Sequence, residues 1–211
     1  MVLVLEYVAG RNPHVPWQPE DLAAVLDALD GLAIRLPPSP IADMPSAEEA
    51  LADPFSGWHR IAKSPPSDLD DWTVQHLPML RRLADDALLA VNGDTLVHYD
   101  IRADNILLRP DGRVVIIDWP WACRGAAWID TLMLLTSVAA DSGHDLDALL
   151  GRGATAQADP AALTAVVAAQ AGFTLDASRQ PPPPGMGQLR PHQRAKAEAL
   201  LRWLRRYLPI G

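Results

Sequence analysis

Between His98 and Asp118 the chain reads His98-Tyr-Asp100-Ile-Arg102-Ala-Asp104-Asn105, followed by two apolar runs, Ile106–Leu108 and Val114–Ile117, on either side of Pro110-Asp-Gly112. Short β-rich runs around a Pro-Asp-Gly turn fold as an antiparallel hairpin. If Arg109 pairs with Val114, Ile106 pairs with Ile117 and Asn105 faces Asp118. Directly opposed residues have Cβ atoms roughly 5 Å apart, so an amide oxygen and a carboxylate that are distant in sequence meet at the open end of the hairpin. Two such oxygens suit Mg²⁺, which prefers oxygen ligands and keeps waters and substrate phosphates in its shell. Asp100, five residues before Asn105, lies beside this pair without belonging to the hairpin. The chain has only three asparagines, Asn12, Asn92 and Asn105, so one at this offset before a hairpin ending in Asp is a specific signal.

His98-x-Asp100-x4-Asn105 followed by Ile117-Asp118-Trp119 resembles the aminoglycoside phosphotransferase and choline kinase branch of the protein-kinase-like superfamily. Protein kinases usually carry Arg after the His and Phe-Gly after the metal Asp, where this chain has Tyr99 and Trp119-Pro120. No activation segment is evident between Asp118 and Ala127–Asp130 either. Leu3-Val-Leu-Glu6-Tyr-Val-Ala-Gly10 resembles the hinge that joins the two lobes in this family, and Ala127-Trp128-Ile-Asp130 resembles the start of the helix after the magnesium loop. The resemblance implies a Mg²⁺-dependent transfer of the γ-phosphate of ATP or GTP to a small-molecule hydroxyl, aminoglycoside-like or choline-like. Asp100 would accept or orient the hydroxyl proton, Asn105 and Asp118 would hold the metal, and the backbone of Glu6, Tyr7 and Val8 would contact the base.

The implied fold is α+β and mostly helical: a kinase-like C-lobe with a catalytic β-hairpin, residues 1–10 as the interlobe hinge strand and 11–211 as one helical domain. The amino-terminal β-lobe of the family, with its phosphate-covering loop and strand lysine, is expected to be missing. Arg60-Ile-Ala-Lys63 is a faint likeness of the lysine motif, but it follows the hinge and precedes Ser-Pro-Pro. Met1–Leu5 is a continuous apolar run, the pattern of a strand covered on both faces. Left uncovered, it would favour dimerisation or aggregation. The competing expectation is a truncated, non-catalytic kinase-like domain for binding or regulation.

Composition bounds the reading. A chain of 211 residues with 49% hydrophobic content can bury one substantial core. A single cysteine, Cys123, argues against a disulfide framework and suits a reducing cytoplasm. No apolar run reaches the roughly 20 residues that span a bilayer, and a net charge of −8 argues against nonspecific nucleic-acid binding. Helical patterns occupy residues 19–34, 46–51, 68–89, 129–139, 145–150, 160–171 and 191–208.

Several side chains admit two roles. His98 serves as a base or packs under the catalytic loop and holds its backbone. Arg102 stabilises charge on the transferred phosphoryl group or pairs with Asp104 or Asp118. Asp130, by resemblance, accepts hydrogen bonds from catalytic-loop N–H groups, or it caps a helix. Trp119, Trp121 and Trp128 stack a substrate ring or pack the core. Asp68, Asp70, Asp71, Asp141 and Asp145 are candidate ligands for cationic groups of an acceptor, or ordinary helix-terminal carboxylates. Arg194, Lys196, Arg202, Arg205 and Arg206 bind an anion or, since they alternate with Leu200, Leu201, Leu204 and Leu208, form the solvated side of an amphipathic helix with cations near its end.

Overall fold

The computed structural model describes residues 6–142 and 144–208. Local signals start most of the helices. Pro19 at the first turn, with Glu20 and Asp21 behind it, opens α1 (Pro19–Arg35), whose stripe of Leu22, Val25, Leu26 and Leu29 is buried. Ser46 and Glu49 form a reciprocal capping box at α2 (Ala47–Phe55), and α3 (Gly57–Lys63) follows at once. Asp70 caps α4 (Asp71–Ala90) by accepting from the Thr73 N–H. Lys63 therefore ends a helix, and the strand-lysine likeness has no strand under it.

Among the described residues four short strands lie in two antiparallel pairs. β1 (Thr95–Val97) pairs with β4 (Cys123–Gly125), and β2 (Ile106–Leu108) pairs with β3 (Val114–Ile116). The second pair is nested in sequence inside the first, so residues 98–105 and 117–122 leave the two ladders facing each other. The hairpin register differs from the expected one by a residue: Leu108 opposes Val114, Ile106 opposes Ile116, and the Ile117 N–H donates to the Asn105 carbonyl at 2.9 Å. Gly112 is the cause. At φ +80° it takes the left-handed position of a three-residue loop closed by Arg109 and Arg113, where a four-residue loop was expected.

The rest is helical. α5 (Ile129–Ser142), α6 (Leu146–Leu150), α7 (Pro160–Ser178) and α8 (Leu189–Tyr207) complete the order. α7 is the central element, packed against α4, α3 and α8, and is buried around most of its circumference. By length and composition it could cross a membrane, yet 67% of its apolar stretch is covered by the rest of the fold. Its approach to α3 depends on missing side chains: a Cβ at Gly172 would meet the Trp58 indole at 2.5 Å, and one at Gly57 would meet the Gly172 carbonyl carbon at 2.5 Å. The Trp58 indole N–H donates to the Ala168 carbonyl at 2.7 Å and locks that crossing.

The hinge expectation falls partly outside the described residues, because Met1–Leu5 are not among them and neither is the dimer contact built on that run. Glu6–Gly10 carry no strand pairing. Among the described residues Arg11 makes the first backbone hydrogen bonds to the hairpin, exchanging them with Leu108 at 3.0 and 2.7 Å, which docks this segment on the edge of the β2–β3 pair.

Candidate active site

Residues 98–105, the candidate catalytic loop, are held through their backbone groups by side chains. β1 ends at Val97, opposite Cys123 of β4, and β4 leads into α5, so the first turn of α5 arrives beneath residues 98 and 99. There the buried Asp130 carboxylate accepts from the His98 N–H at 2.9 and 3.0 Å and from the Tyr99 N–H at 2.7 Å. Burial raises the Asp130 pKa against the opposing pull of these N–H groups. Asp130 lies inside α5 and spends its carboxylate on the loop. Tyr99 sits at φ 69°, a left-handed conformation for a bulky residue, and its hydroxyl is anchored on Gln170 Oε1 at 2.9 Å.

His98 is fully buried and joins the two loops. Its Nε2 lies 2.9 Å from the Ile117 carbonyl, and its Nδ1 lies 3.2 Å from the Asp100 N–H. A backbone carbonyl can only accept and a backbone N–H can only donate, which makes the ring neutral with its proton on Nε2. A histidine so engaged is a brace between residue 100 and residue 117. The Trp119 ring meets it edge-on at 4.7 Å.

Asp100 emerges from this brace with about a third of its side chain exposed. The Asn105 amide nitrogen donates to the Asp100 carbonyl at 2.9 Å and to its Oδ2 at 3.2 Å, which sets the amide so that its oxygen is presented on the other side. Asn12 fastens the short 3-10 turn Ala103–Asn105, donating to the Ile106 carbonyl at 2.8 Å and to the carbonyls of Ala103 and Asp104. One residue past the Ile117–Asn105 hydrogen bond, Asp118 turns out of the strand at φ 63° and is exposed. Its carboxylate has no hydrogen-bond or ion-pair partner among the described residues. An oriented amide oxygen and a free carboxylate at one hairpin mouth form a hard donor set that fits Mg²⁺ with phosphates completing its shell.

Arg102 is committed nearer home: its guanidinium makes a bidentate pair with Asp104 at 3.0 and 2.5 Å, and its Nε lies 3.8 Å from Asp100 Oδ1. Among the tryptophans, Trp119 donates to the Ile116 carbonyl, Trp128 packs on the core, and Trp121 is exposed over a cavity. That cavity, 180 Å³ in volume, opens on Asp100 and is walled by the catalytic loop on one side and by α7 and α8 on the other. A larger one of 700 Å³ adjoins it, sharing Arg102, Leu189 and His192.

The acidic residues expected to meet a cationic acceptor are mostly engaged elsewhere. Asp68 pairs with Arg194, Asp70 caps α4 and pairs with Arg205, and Asp145 caps α6 and pairs with Arg206. Asp141 alone of the five lines either cavity, accepting from the Ser137 hydroxyl at 3.1 Å. Sequence reasoning did not bring Lys196 to this site, grouping it with the arginines of α8 as an anion site or a solvated face; the structure puts it in the wall of the cavity at Asp100. The signal was available, because Lys196 falls at helical i, i+4 spacing with Leu200 and Leu204, on the buried stripe.

The family model of the phosphotransferase enzyme family APH matches residues 2–166, and the chain belongs to that family. No curated protein matches it. Among solved structures it resembles an aminoglycoside phosphotransferase from Alicyclobacillus acidocaldarius, at 17% identity and TM-score 0.57, covering 95% of this chain and 69% of that one. A choline/ethanolamine kinase family protein from Mesorhizobium loti matches at 19% identity and TM-score 0.56, covering 92% and 68%. A spectinomycin phosphotransferase solved with ADP and spectinomycin matches at 14% identity and TM-score 0.51, covering 96% and 66%. These likenesses define the kinase-like fold, and the family makes the chain a phosphotransferase by class.

Proposed function

We propose that this chain is the catalytic lobe of a Mg²⁺-dependent phosphotransferase that moves the γ-phosphate of a nucleoside triphosphate, ATP or GTP, to a hydroxyl of a small molecule in the cytoplasm. The observation that carries the reading is the Asp100–Asn105 hydrogen bond beside the free Asp118 carboxylate. Bound by Asn105 Oδ1 and the Asp118 carboxylate, Mg²⁺ would neutralise the triphosphate oxygens. Asp100, held by Asn105 and His98, accepts the proton of the attacking hydroxyl as its oxygen bonds to the γ-phosphorus and the bond to the departing diphosphate breaks. The backbone of Glu6, Tyr7 and Val8 is the proposed contact for the base. The resemblance taken alone implies an aminoglycoside-like or choline-like acceptor; the charges that line the cavity at Asp100 favour a different one.

Mn²⁺ relaxation tests the metal site directly. The 211-residue chain is expected to bind Mn²⁺ weakly without nucleotide and more tightly with ATP, and Asp118→Ala to abolish both. Undiminished binding in that variant would remove Asp118 from the site and the reading with it.

A further inference from the structure

The cavity at Asp100 holds an unusual balance of charge. Its lining has one carboxylate, that of Asp100 itself, against two permanent or readily formed cations, Arg102 and Lys196. Arg102 is neutralised by its bidentate pair with Asp104. Lys196 has no such partner: among the described residues no carboxylate oxygen lies within 4.0 Å of its ammonium, and it makes no hydrogen bond. Lys196 is also half-buried, in a chain that has only one other lysine. An ammonium partly withdrawn from water with no carboxylate in ion-pair reach is held at a cost, and a ligand that brings the counter-charge reduces that cost.

The remaining walls say what the rest of such a ligand is like. Trp121, Met133, Phe173 and Leu189 give the cavity apolar and aromatic surface, while Gln170 is already engaged by the Tyr99 hydroxyl. Clefts of this composition bind an apolar body and fix it with a few polar groups. A polycationic sugar would need several carboxylates here, and of the five candidates Asp68, Asp70 and Asp145 are used in helix caps and surface ion pairs, while Asp71 lines neither cavity. We propose that the acceptor is an alcohol with a ring-sized apolar body and an anionic group, a carboxylate or its like, which pairs with the Lys196 ammonium while the hydroxyl faces Asp100. This rests on the phosphotransferase reading for the role of Asp100, but the charge preference itself does not depend on turnover.

Burial also lowers the Lys196 pKa from 10.5 to about 8, offset in part by Asp100 on the catalytic loop and Asp141 on α5 and reinforced by Arg102. His192, one turn earlier on α8, lines the same cavity. The charge that would hold the anion is therefore present at neutral pH and fades above about pH 8.

Three probes that share one scaffold test the inference by calorimetry on the full 211-residue chain: 4-(hydroxymethyl)benzoate, 4-methylbenzyl alcohol and 4-(hydroxymethyl)benzylamine. The carboxylate is expected to bind about tenfold more tightly than the neutral alcohol at pH 7, and the amine no better than the neutral alcohol. Lys196→Met should erase the advantage of the carboxylate, Lys196→Arg should restore most of it, and raising the pH to 9 should shrink it in the parent chain alone. Equal affinities, tightest binding of the amine, or a carboxylate preference that survives Lys196→Met would each overturn the proposal. Loss of the phosphotransferase reading would show elsewhere, in Mn²⁺ binding insensitive to Asp118→Ala, with the charge preference intact.

Discussion

The two walls of the cavity at Asp100 are built on opposite plans. On the catalytic-loop wall the polar groups are spoken for: Asp130 takes the N–H groups of residues 98 and 99, His98 spans Ile117 and Asp100, Asn105 holds Asp100, and Asn12 holds the turn. On the α7 and α8 wall, Gln170, Thr174 and Gln193 are engaged as well, but Lys196, beside Phe173 and Leu189, is left uncommitted. A wall fixed by backbone hydrogen bonds keeps one geometry whatever the ligand, which suits a reaction that depends on positioning. A wall of side chains with an unspent charge costs stability and is free to choose among ligands. On the proposed function, the reaction would be tied to the first wall and selection to the second.

The sharpest way to break that comparison is Asp100→Asn. Where phosphotransfer is measurable, turnover should fall about 10²- to 10⁴-fold with nucleotide affinity nearly unchanged, because the variant loses the proton acceptor and keeps the metal ligands. Steady-state kinetics with parallel nucleotide binding decides it, and equal damage to both would mean that Asp100 belongs to the metal site.

Asp130→Ala addresses the rigidity of the first wall. It strips the acceptor from the buried N–H groups of His98 and Tyr99, which at about 1–3 kcal/mol for each orphaned group predicts roughly 2–5 kcal/mol of lost stability. Urea unfolding at constant m-value measures this. A loss below about 1 kcal/mol would show that the loop is held by something else.

Lys196→Met addresses the second wall and should have the opposite sign. The lysine's folded pKa, about 8, is below its ordinary 10.5, so the unfolded chain binds more protons between those values. The parent chain consequently gains stability as pH rises through that window and carries the full penalty below it. At pH 7 the variant should be more stable by about 1–3 kcal/mol, discounted for partial exposure to solvent, with the gap closing as pH approaches 10.5. Destabilisation at pH 7 would mean that the ammonium is well solvated or paired.

The smallest effect is expected at the hairpin turn that sets the site. Gly112 has φ +80° and open space around it, so Gly112→Ala adds backbone strain and no clash. The cost should be about 1 kcal/mol, a few degrees in Tm, with Mn²⁺ binding retained. A larger loss would point to a shift of the β2–β3 register.

Much of this was legible because it is local. The hairpin, the offset of Asp100 and the start of α1 follow from turn residues, alternation and caps spaced a few positions apart, whereas the spacing puts Asn105 opposite Asp118 and the structure puts it opposite Ile117. The register slipped by one because the choice between a three- and a four-residue loop rests on whether Gly112 takes the left-handed position. The β1–β4 ladder was not legible: three-residue strands with no apolar run of their own are stabilised by a partner almost thirty positions away.

By itself, then, the sequence determined which residues gather at the hairpin mouth, since Asp100, Asn105 and Asp118 are brought there through local backbone geometry. Only the tertiary structure decided that Asp130 braces the loop from 32 residues away and that Lys196 faces the same cavity as Asp100. Those placements come from the nesting of two ladders and the crossing of α7 with its neighbours. Such long-range packing is set by the sum of many weak contacts, and no short stretch of the chain carries it.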